Sequence, residues 1–365
     1  MDTDLICALR ENARRVLTDR CASDQLHRFV NQETDRYDAK LWRTAAELGW
    51  LALAVTEEHG GLGAGIVEVA ALQEELGRFL APVPFHSCAL VARALALWPR
   101  DVIRAEWLPR LATGEIIGAV GPFFPSSSSL TAVRSSSAWK IKGECAPVLD
   151  GEIADVFLVS VSTEAGPGIA LIGRSTGLAV STLSVADRTR TVATLRCQNI
   201  EVPADHLLCG SEAAALSDRL ADEARILIAS DSLGGAQAIL DTTVEYLKAR
   251  VQFGRPIGSF QALKHRCADH KVSLEANKRL LGRAMLEFGT AQRATWTSLA
   301  KFSACDCYAA LAADGVQMHG GIGFTWEHNA HLFLKRALLN QFLFGDSAQQ
   351  QDRAAQLLIA AKQPL

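Results

Sequence analysis

The feature that most constrains this chain is a hydrophobic pattern that changes character twice. From the N-terminus to about residue 115, Ala-, Leu- and Glu-rich stretches with few β-branched residues favour helix. The spacing predicts a helix over Leu41–Leu48 that ends at Gly49, and another carrying Val67, Ala70, Leu72 and Leu76. His59–Gly63, rich in glycine, reads as the loop between them. From about 116 to 208 the helical period fades. Ala154–Val161, Ile169–Ile172 and Thr191–Leu195 read as strands with no helix between them, which predicts a small antiparallel β-domain. From about 211 the helical pattern returns. Ala229, Leu233, Ala236, Leu240, Val244, Leu247 and Val251 are spaced 4, 3, 4, 4, 3 and 4, one apolar stripe along one helix. Phe253-Gly254-Arg255-Pro256 ends it, and further helices are predicted over Ala262–Phe288, Thr295–Met318 and Asp346–Ala361.

The order of these blocks narrows the fold more than any one motif. It predicts an α+β multi-domain chain: an N-terminal α-helical domain over 1–115, a middle β-barrel or sandwich over 116–208 and a C-terminal four-helix bundle over 209–365. A length of 365 residues accommodates that division. With 49% hydrophobic and 21% charged residues the chain can bury large cores, which excludes disorder. Lys and Arg number 37 against 40 Asp and Glu, a net charge of −3, so bulk electrostatics argue against nucleic acid as a partner. No apolar run approaches the ~20 residues that cross a bilayer. The acidic start, Met1-Asp2-Thr3-Asp4, shows no signal peptide, and nine cysteines without regular spacing read as reduced thiols. The expected compartment is the cytoplasm, with no membrane association.

Three passages carry a resemblance. The first is Glu47-Leu48-Gly49-Trp50 through Glu57-Glu58-His59-Gly60-Gly61-Leu62-Gly63 and on to Glu74-Glu75-Leu76-Gly77-Arg78. The second is Arg250-Val251-Gln252-Phe253-Gly254-Arg255-Pro256-Ile257, then Phe260-Gln261. The third is Gln317-Met318-His319-Gly320-Gly321-Ile322-Gly323-Phe324-Thr325. In order and spacing they resemble the acyl-CoA dehydrogenase family across nearly the whole chain. The resemblance implies FAD, a CoA thioester substrate, an oligomer and an electron-transferring flavoprotein as acceptor. In that family a carboxylate removes the α-proton of the thioester while the β-hydride passes to the flavin.

The resemblance also implies site residues. Arg250 matches the arginine that meets the FAD pyrophosphate of a neighbouring subunit, a job that suits a planar, permanently charged group. Gln252, Phe253, Phe260 and Gln261 match the adenine-side surface. Gln317, Gly320 and Gly321 match the second segment that crosses to a neighbour's FAD. Asp222 and Arg225 match residues near the thioester and the CoA arm, although they read equally as a charged pair in the first turn of a helix. His319 and His328 have no acidic or cysteine partner at ligand spacing and read as structural or solvent-facing; no metal is expected.

The departures are as informative. The family's flavin-contacting loop, Thr-Glu-Pro then Gly-Ser-Asp, is replaced by Gly121-Pro122-Phe123-Phe124-Pro125 and a serine run, Ser126–Ser129. The segment that carries the flavin-covering tryptophan is replaced by Gly143-Glu144-Cys145-Ala146-Pro147-Val148-Leu149. The two family positions for the catalytic glutamate fall at Phe344 and Ala224, and neither side chain accepts a proton. Glu223, Asp231 and Asp346 are the nearby carboxylates; the last two read as caps or surface groups.

The pattern points to one half of an α2β2 heteromer, as in bacterial steroid side-chain degradation: a subunit without its own base and flavin cradle that completes a partner's FAD site. The Thr325-Trp326-Glu327-His328 run and the Phe344-Gly345-Asp346 ending resemble that subgroup. The alternatives are a self-sufficient homo-oligomeric dehydrogenase with a relocated carboxylate, and a non-enzymatic acyl-CoA-binding or DNA-associated relative. For DNA the tail offers only Arg353 and Lys362 against Asp352.

Overall fold

The computed structural model describes residues 3–31, 36–122 and 128–362. Before the sheet come six helices: α1 (Thr3–Arg20), α2 (Ser23–Asn31), α3 (Ala39–Glu47), α4 (Ile66–Arg78), α5 (Phe85–Ala96) and α6 (Asp101–Ala112). Asp38 starts α3 by accepting from the backbone N–H of Lys40 and Leu41, both at 2.9 Å, which satisfies two otherwise orphaned donors. Gly49, at φ 74°, ends the same segment in a left-handed turn, as its composition predicts.

The chain divides into two compact units. One comprises residues 33–69 and 82–224 and is built on the sheet; the other comprises 1–32, 70–81 and 225–365 and is helical.

In the first unit the strands are β1 (Gly118–Val120), β2 (Thr131–Ser135), β3 (Ala138–Leu149), β4 (Val156–Thr163), β5 (Gly166–Gly173), β6 (Leu178–Thr182), β7 (Val192–Pro203) and β8 (Leu207–Cys209). They form one sheet in the order β6-β7-β3-β1-β4-β5-β8, with β2 on β3 and β4. The three predicted strands fall in β4, β5 and β7. Pairing is antiparallel except that β1 runs parallel to β4, with Gly118 opposite Val156, and β2 meets β4 in parallel at its end. The β2–β3 hairpin separates β1 from β4 in sequence and returns the chain beside β1 in the same direction. Residues Val156–Val161 of β4 are buried on both faces, as their continuous apolar run requires. Helix α5 covers the sheet, and Ser87 Oγ donates to Asp150 Oδ2 at 2.6 Å just beyond β3.

The second unit holds α1, α2, most of α4 and the C-terminal helices: α7 (Ser211–Ala249), whose later part belongs here, α8 (Gln261–Leu286), α9 (Arg293–His319), α10 (Ala330–Phe342) and α11 (Ser347–Lys362). Ala229, Leu233, Ala236, Leu240 and Leu247 of the predicted stripe are buried, while Val244 is half-buried. Val251 departs from it. It lies past the helix in a short hairpin of β9 (Val251–Gln252) and β10 (Arg255–Pro256) and is 54% exposed. Helix α10 is an element the periodicity did not reveal, because its buried face includes His331, Arg336 and Asn340. Helices α4 and α7 touch backbone to backbone. A Cβ on Gly77 would sit 2.3 Å from Asp231 O, and one on Gly234 would sit 1.9 Å from Glu74 O, so both positions require glycine.

Candidate functional site

At one end of the helical unit, α7 gives way to the β9–β10 hairpin. The Arg250 N–H donates to Tyr246 O at 2.8 Å, and Ile257 N–H donates to Arg250 O at 2.8 Å, so Arg250 is clamped at the hairpin's base while its side chain is exposed. Phe253 and Gly254 form the turn at φ 55° and 74°, a two-residue connection with both central residues left-handed. Left-handed backbone costs a phenylalanine about 1–2 kcal/mol, and the ring is 88% exposed. Phe253 meets the half-buried Phe260 edge-on at 6.0 Å between centroids. Arg255 Cζ stands 4.1 Å over the Phe260 ring, a cation–π contact that the sequence reading did not single out. Gln252 and Gln261 are exposed beside them. Among the described residues, neither Arg250 nor Arg255 forms an ion pair.

The third motif lies at the same end. Tyr246, one turn before Arg250, stacks on His319 at 4.5 Å, directly before Gly320 and Gly321. Gln317 is exposed, and a Cβ on either glycine would meet nothing within 4 Å. Gly320 is left-handed at φ 65°. The fold therefore assembles two sequence-distant segments into one open surface of two guanidinium groups, three amides, bare backbone and aromatic rings. That chemistry suits a phosphate-bearing aromatic ligand.

The positions expected for a base are closed. Phe344 is 9% exposed with φ 57°, and Gln350 Nε2 donates to its carbonyl at 3.1 Å. Lys301, fully buried, donates to Gln341 O at 2.8 Å and to Gly345 O. Burial lowers its pKa from the usual lysine value. Arg225 is buried, and its Nε donates to Gln350 Oε1 at 2.7 Å, so it braces the Phe344 turn from behind. Asp222, Ala224 and Arg225 lie well inside α7, which begins at Ser211; the first-turn reading of the charged pair is corrected by that earlier start. Asp222 and Ala224 are fully buried as well.

The nearby carboxylates are committed elsewhere. Glu223, fully buried, receives Arg93 at 2.5 and 2.9 Å and Arg219 at 3.2 Å. Asp231 accepts from Gln73 Nε2 at 2.9 Å, Arg336 at 3.2 Å and Asn340 Nδ2 at 2.7 Å. It is completely buried, neither a cap nor a surface group, and joins α4, α7 and α10. Asp346 is a cap: its Oδ1 accepts Gln349 N–H at 2.8 Å and its N–H donates to Gln349 Oε1 at 3.0 Å, a reciprocal capping box at the start of α11.

Comparison with known proteins agrees with this architecture. The family description "acyl-CoA dehydrogenase, N-terminal domain" matches residues 3–115, and "acyl-CoA dehydrogenase, C-terminal domain" matches 215–359. This chain belongs to the acyl-CoA dehydrogenase family. Acyl-CoA dehydrogenase IpdE2 of Mycobacterium tuberculosis is 35% identical over 304 residues, 82% of this chain and 81% of the relative. IpdE2 of Mycolicibacterium smegmatis is 34% identical over 343 residues, 94% and 95% of the two chains. A chain of the ChsE4–ChsE5 complex of Mycobacterium tuberculosis shares the fold with a TM-score of 0.92 and 27% identity, covering 100% of this chain and 99% of that one. A chain described as the Tcur3481–Tcur3483 steroid ACAD superposes with a TM-score of 0.90 and 28% identity over 98% of both. The family places the chain among oxidoreductases that act on CoA thioesters.

FAD is the family's cofactor, and this acyl-CoA dehydrogenase chain fits it unevenly. The open surface at Arg250, Gln252, Phe253 and Gln317 has the donors and rings that an adenine and pyrophosphate need. Among its described residues the sheet does not offer the same to a flavin ring. The segment Phe123–Ser127 of the departing loop lies outside the described residues. Of its neighbours, Ser128 Oγ donates to Ser160 O at 2.9 Å, Ser129 Oγ to Glu144 O at 2.8 Å and Ser160 Oγ to Pro122 O at 2.7 Å. These hydroxyls are spent within the sheet. Cys145, Val148 and Leu149 are buried, and burial pushes the Cys145 thiol up to about 12. Glu144 binds Arg196 at 2.8 and 2.9 Å.

Proposed function

We propose that this chain is the non-catalytic partner subunit of a heteromeric, FAD-dependent acyl-CoA dehydrogenase. In this reading it pairs as α2β2 with a second acyl-CoA dehydrogenase-like subunit that supplies the flavin cradle and the base for α,β-dehydrogenation. Arg250, Gln252, Phe253, Phe260, Gln261, Gln317, Gly320 and Gly321 of this chain complete the adenine side of the partner's FAD. FAD, when bound there, supplies the acceptor for the β-hydride; this chain's residues hold the anionic and aromatic end and exclude water from it. The division into blocks at 1–115, 116–208 and 209–365 belongs to the same reading, as does the place of Asp222 and Arg225 near the thioester and the CoA arm. The similarity to chains of two two-component complexes, one of them a steroid ACAD, supports the heteromer and a CoA thioester of a bulky, steroid-like acyl group. An electron-transferring flavoprotein is the expected acceptor and the cytoplasm the expected compartment; among the described residues no helix is long and apolar enough to cross a membrane.

The observation that carries the reading is the asymmetry between an outward-facing, unpaired Arg250 and a buried phenylalanine where the base belongs. A self-sufficient enzyme with a relocated base needs a carboxylate free to take a proton. Glu223 is held by two arginines and Asp231 by three donors, so neither serves. A DNA-binding role finds no support in the tail either, since Arg353 donates to Ser298 Oγ at 3.3 Å. The direct test is dye reduction with a panel of acyl-CoA thioesters, using the lone chain, the partner alone and the two together. Turnover only in the mixture is the expected result; turnover by the lone chain would overturn the proposal.

A further inference from the structure

Four histidines converge in the helical unit where α2, the end of α9, the Gly320–Asn329 connection and the start of α10 pack: His27, His319, His328 and His331. Ring contacts join three of them to their neighbours. Tyr246 lies on His319 at 4.5 Å, and His319 lies 4.2 Å from His328. His331 meets Trp326 edge-on at 4.8 Å, with Lys335 Nζ 4.7 Å over the same indole.

Hydrogen bonds fix the protons on two of these rings. His319 Nδ1 faces Gly315 O at 2.7 Å, and a carbonyl only accepts, so Nδ1 carries the hydrogen. His328 Nδ1 receives the N–H of Ala330 at 3.1 Å, so it is bare. Ala330 is the first residue of α10, so neutral His328 is the acceptor for that helix's leading N–H. Protonation would turn an N–H against an N–H and set a positive charge on the positive end of the helix. His331, in the first turn of α10, would add a second charge of the same sign beside Lys335.

The surrounding charges do not compensate. Among the described residues none of the four histidines pairs with a carboxylate. Asp241 of α7 is held by Arg78 of α4 and by Gln237, and Asp314 of α9 by Arg266 and His270 of α8. Glu327, in the connection itself, is exposed. Burial depresses His319 and pushes His328 and His331 down to about 4, with neighbouring histidines contributing for both and Lys335 for His331.

We propose that this cluster is an acid-sensitive latch: with His319, His328 and His331 neutral it fixes the Gly320–Asn329 connection and the start of α10, and their protonation releases both. Because the folded state binds these protons less readily than the open one, the latch is at full strength above pH 6.5 and weakens as pH falls from 6.5 towards 4. One such histidine raises the open population at pH 5.5 by roughly tenfold. That release would also loosen the hold on a partner's cofactor is a consequence resting on the function proposed above; the latch itself does not depend on it.

Amide hydrogen exchange of the full chain, compared at pH 7.5 and 5.5 after scaling for intrinsic exchange, tests it. Peptides across 319–333 are expected to open roughly a hundredfold more often at pH 5.5, about tenfold from each of His328 and His331, while those in the middle of α7 stay unchanged. His328→Asn keeps an acceptor for Ala330 without a titratable ring and should cut the acid response to roughly tenfold, the share left to His331. His328→Ala removes the acceptor and should open the segment at both pH values. An unchanged 319–333 segment, a uniform loosening of the whole unit, or a full acid response in His328→Asn would each overturn the latch. A chain that forms no heteromer yet shows the response would sink only the functional reading.

Discussion

Two phenylalanines, Phe253 and Phe344, share an unusual backbone and end in opposite surroundings. Each is left-handed, at φ 55° and 57°, and each is followed by a left-handed glycine, Gly254 or Gly345. The strain is comparable, on the order of 1–2 kcal/mol apiece. At Phe344 the surroundings offset it: the ring is buried, Gln350 binds its carbonyl and Lys301 binds the next. At Phe253 no such bracing appears among the described residues: the ring is exposed and meets Phe260 edge-on. One turn is packed inside the protein. The other presents a ring and a nearby guanidinium outward. In the function proposed above, the uncompensated turn is the one that meets the partner's cofactor.

The largest effect expected from breaking this contrast is at the buried network behind the closed region. Asp231→Ala removes the buried carboxylate that Gln73, Arg336 and Asn340 share and should cost about 3–5 kcal/mol in urea unfolding. If Asp231 were instead a catalytic base, its loss would abolish turnover and spare stability. Next, Phe344→Glu puts a carboxylate into a packed turn; it should lower stability by about 2–4 kcal/mol and give the lone chain no dehydrogenase activity. Gain of turnover by that variant would mean the site is open after all.

Gln350→Ala should cost about 1–3 kcal/mol, because Arg225 and the Phe344 carbonyl lose their bridge inside the protein. Arg250→Ala should leave the stability of the lone chain within about 0.5 kcal/mol, as befits an exposed side chain. In the heteromer it should weaken flavin retention by roughly ten- to a hundredfold, the worth of one or two charge-assisted hydrogen bonds, measured by flavin release on dilution. The smallest effect is that of Phe253→Gly, which should stabilise the lone chain by about 1 kcal/mol in thermal melts by relieving the left-handed strain. A large loss of stability would show that the exposed ring packs on something within the chain.

Much of this was legible in the residues. The stripe from Ala229 to Leu247 announces its helix because nothing polar interrupts it. The three motifs fix the family because their glycines and amides serve backbone geometry that few other folds need. Legibility fails where tertiary context assigns a side chain's role. Val251 continues the stripe's spacing, yet the hairpin takes it out of the helix. Helix α10 hides because His331, Arg336 and Asn340 sit on its buried face. Asp231 reads as a cap or surface carboxylate, and only its donors on α4 and α10 make it an interior hub. Arg255 stands in the second motif without a legible role there, because a cation beside a proline carries no pattern; its place over Phe260 comes from the hairpin's fold.

The central claim is that this chain offers half a cofactor site. The most direct measurement is flavin content with native mass, taken on the chain purified alone and on the chain co-purified with its acyl-CoA dehydrogenase-like partner. The account predicts a colourless lone chain and a yellow heterotetramer with fewer flavins than chains. A yellow homo-oligomer carrying one flavin per chain would contradict it.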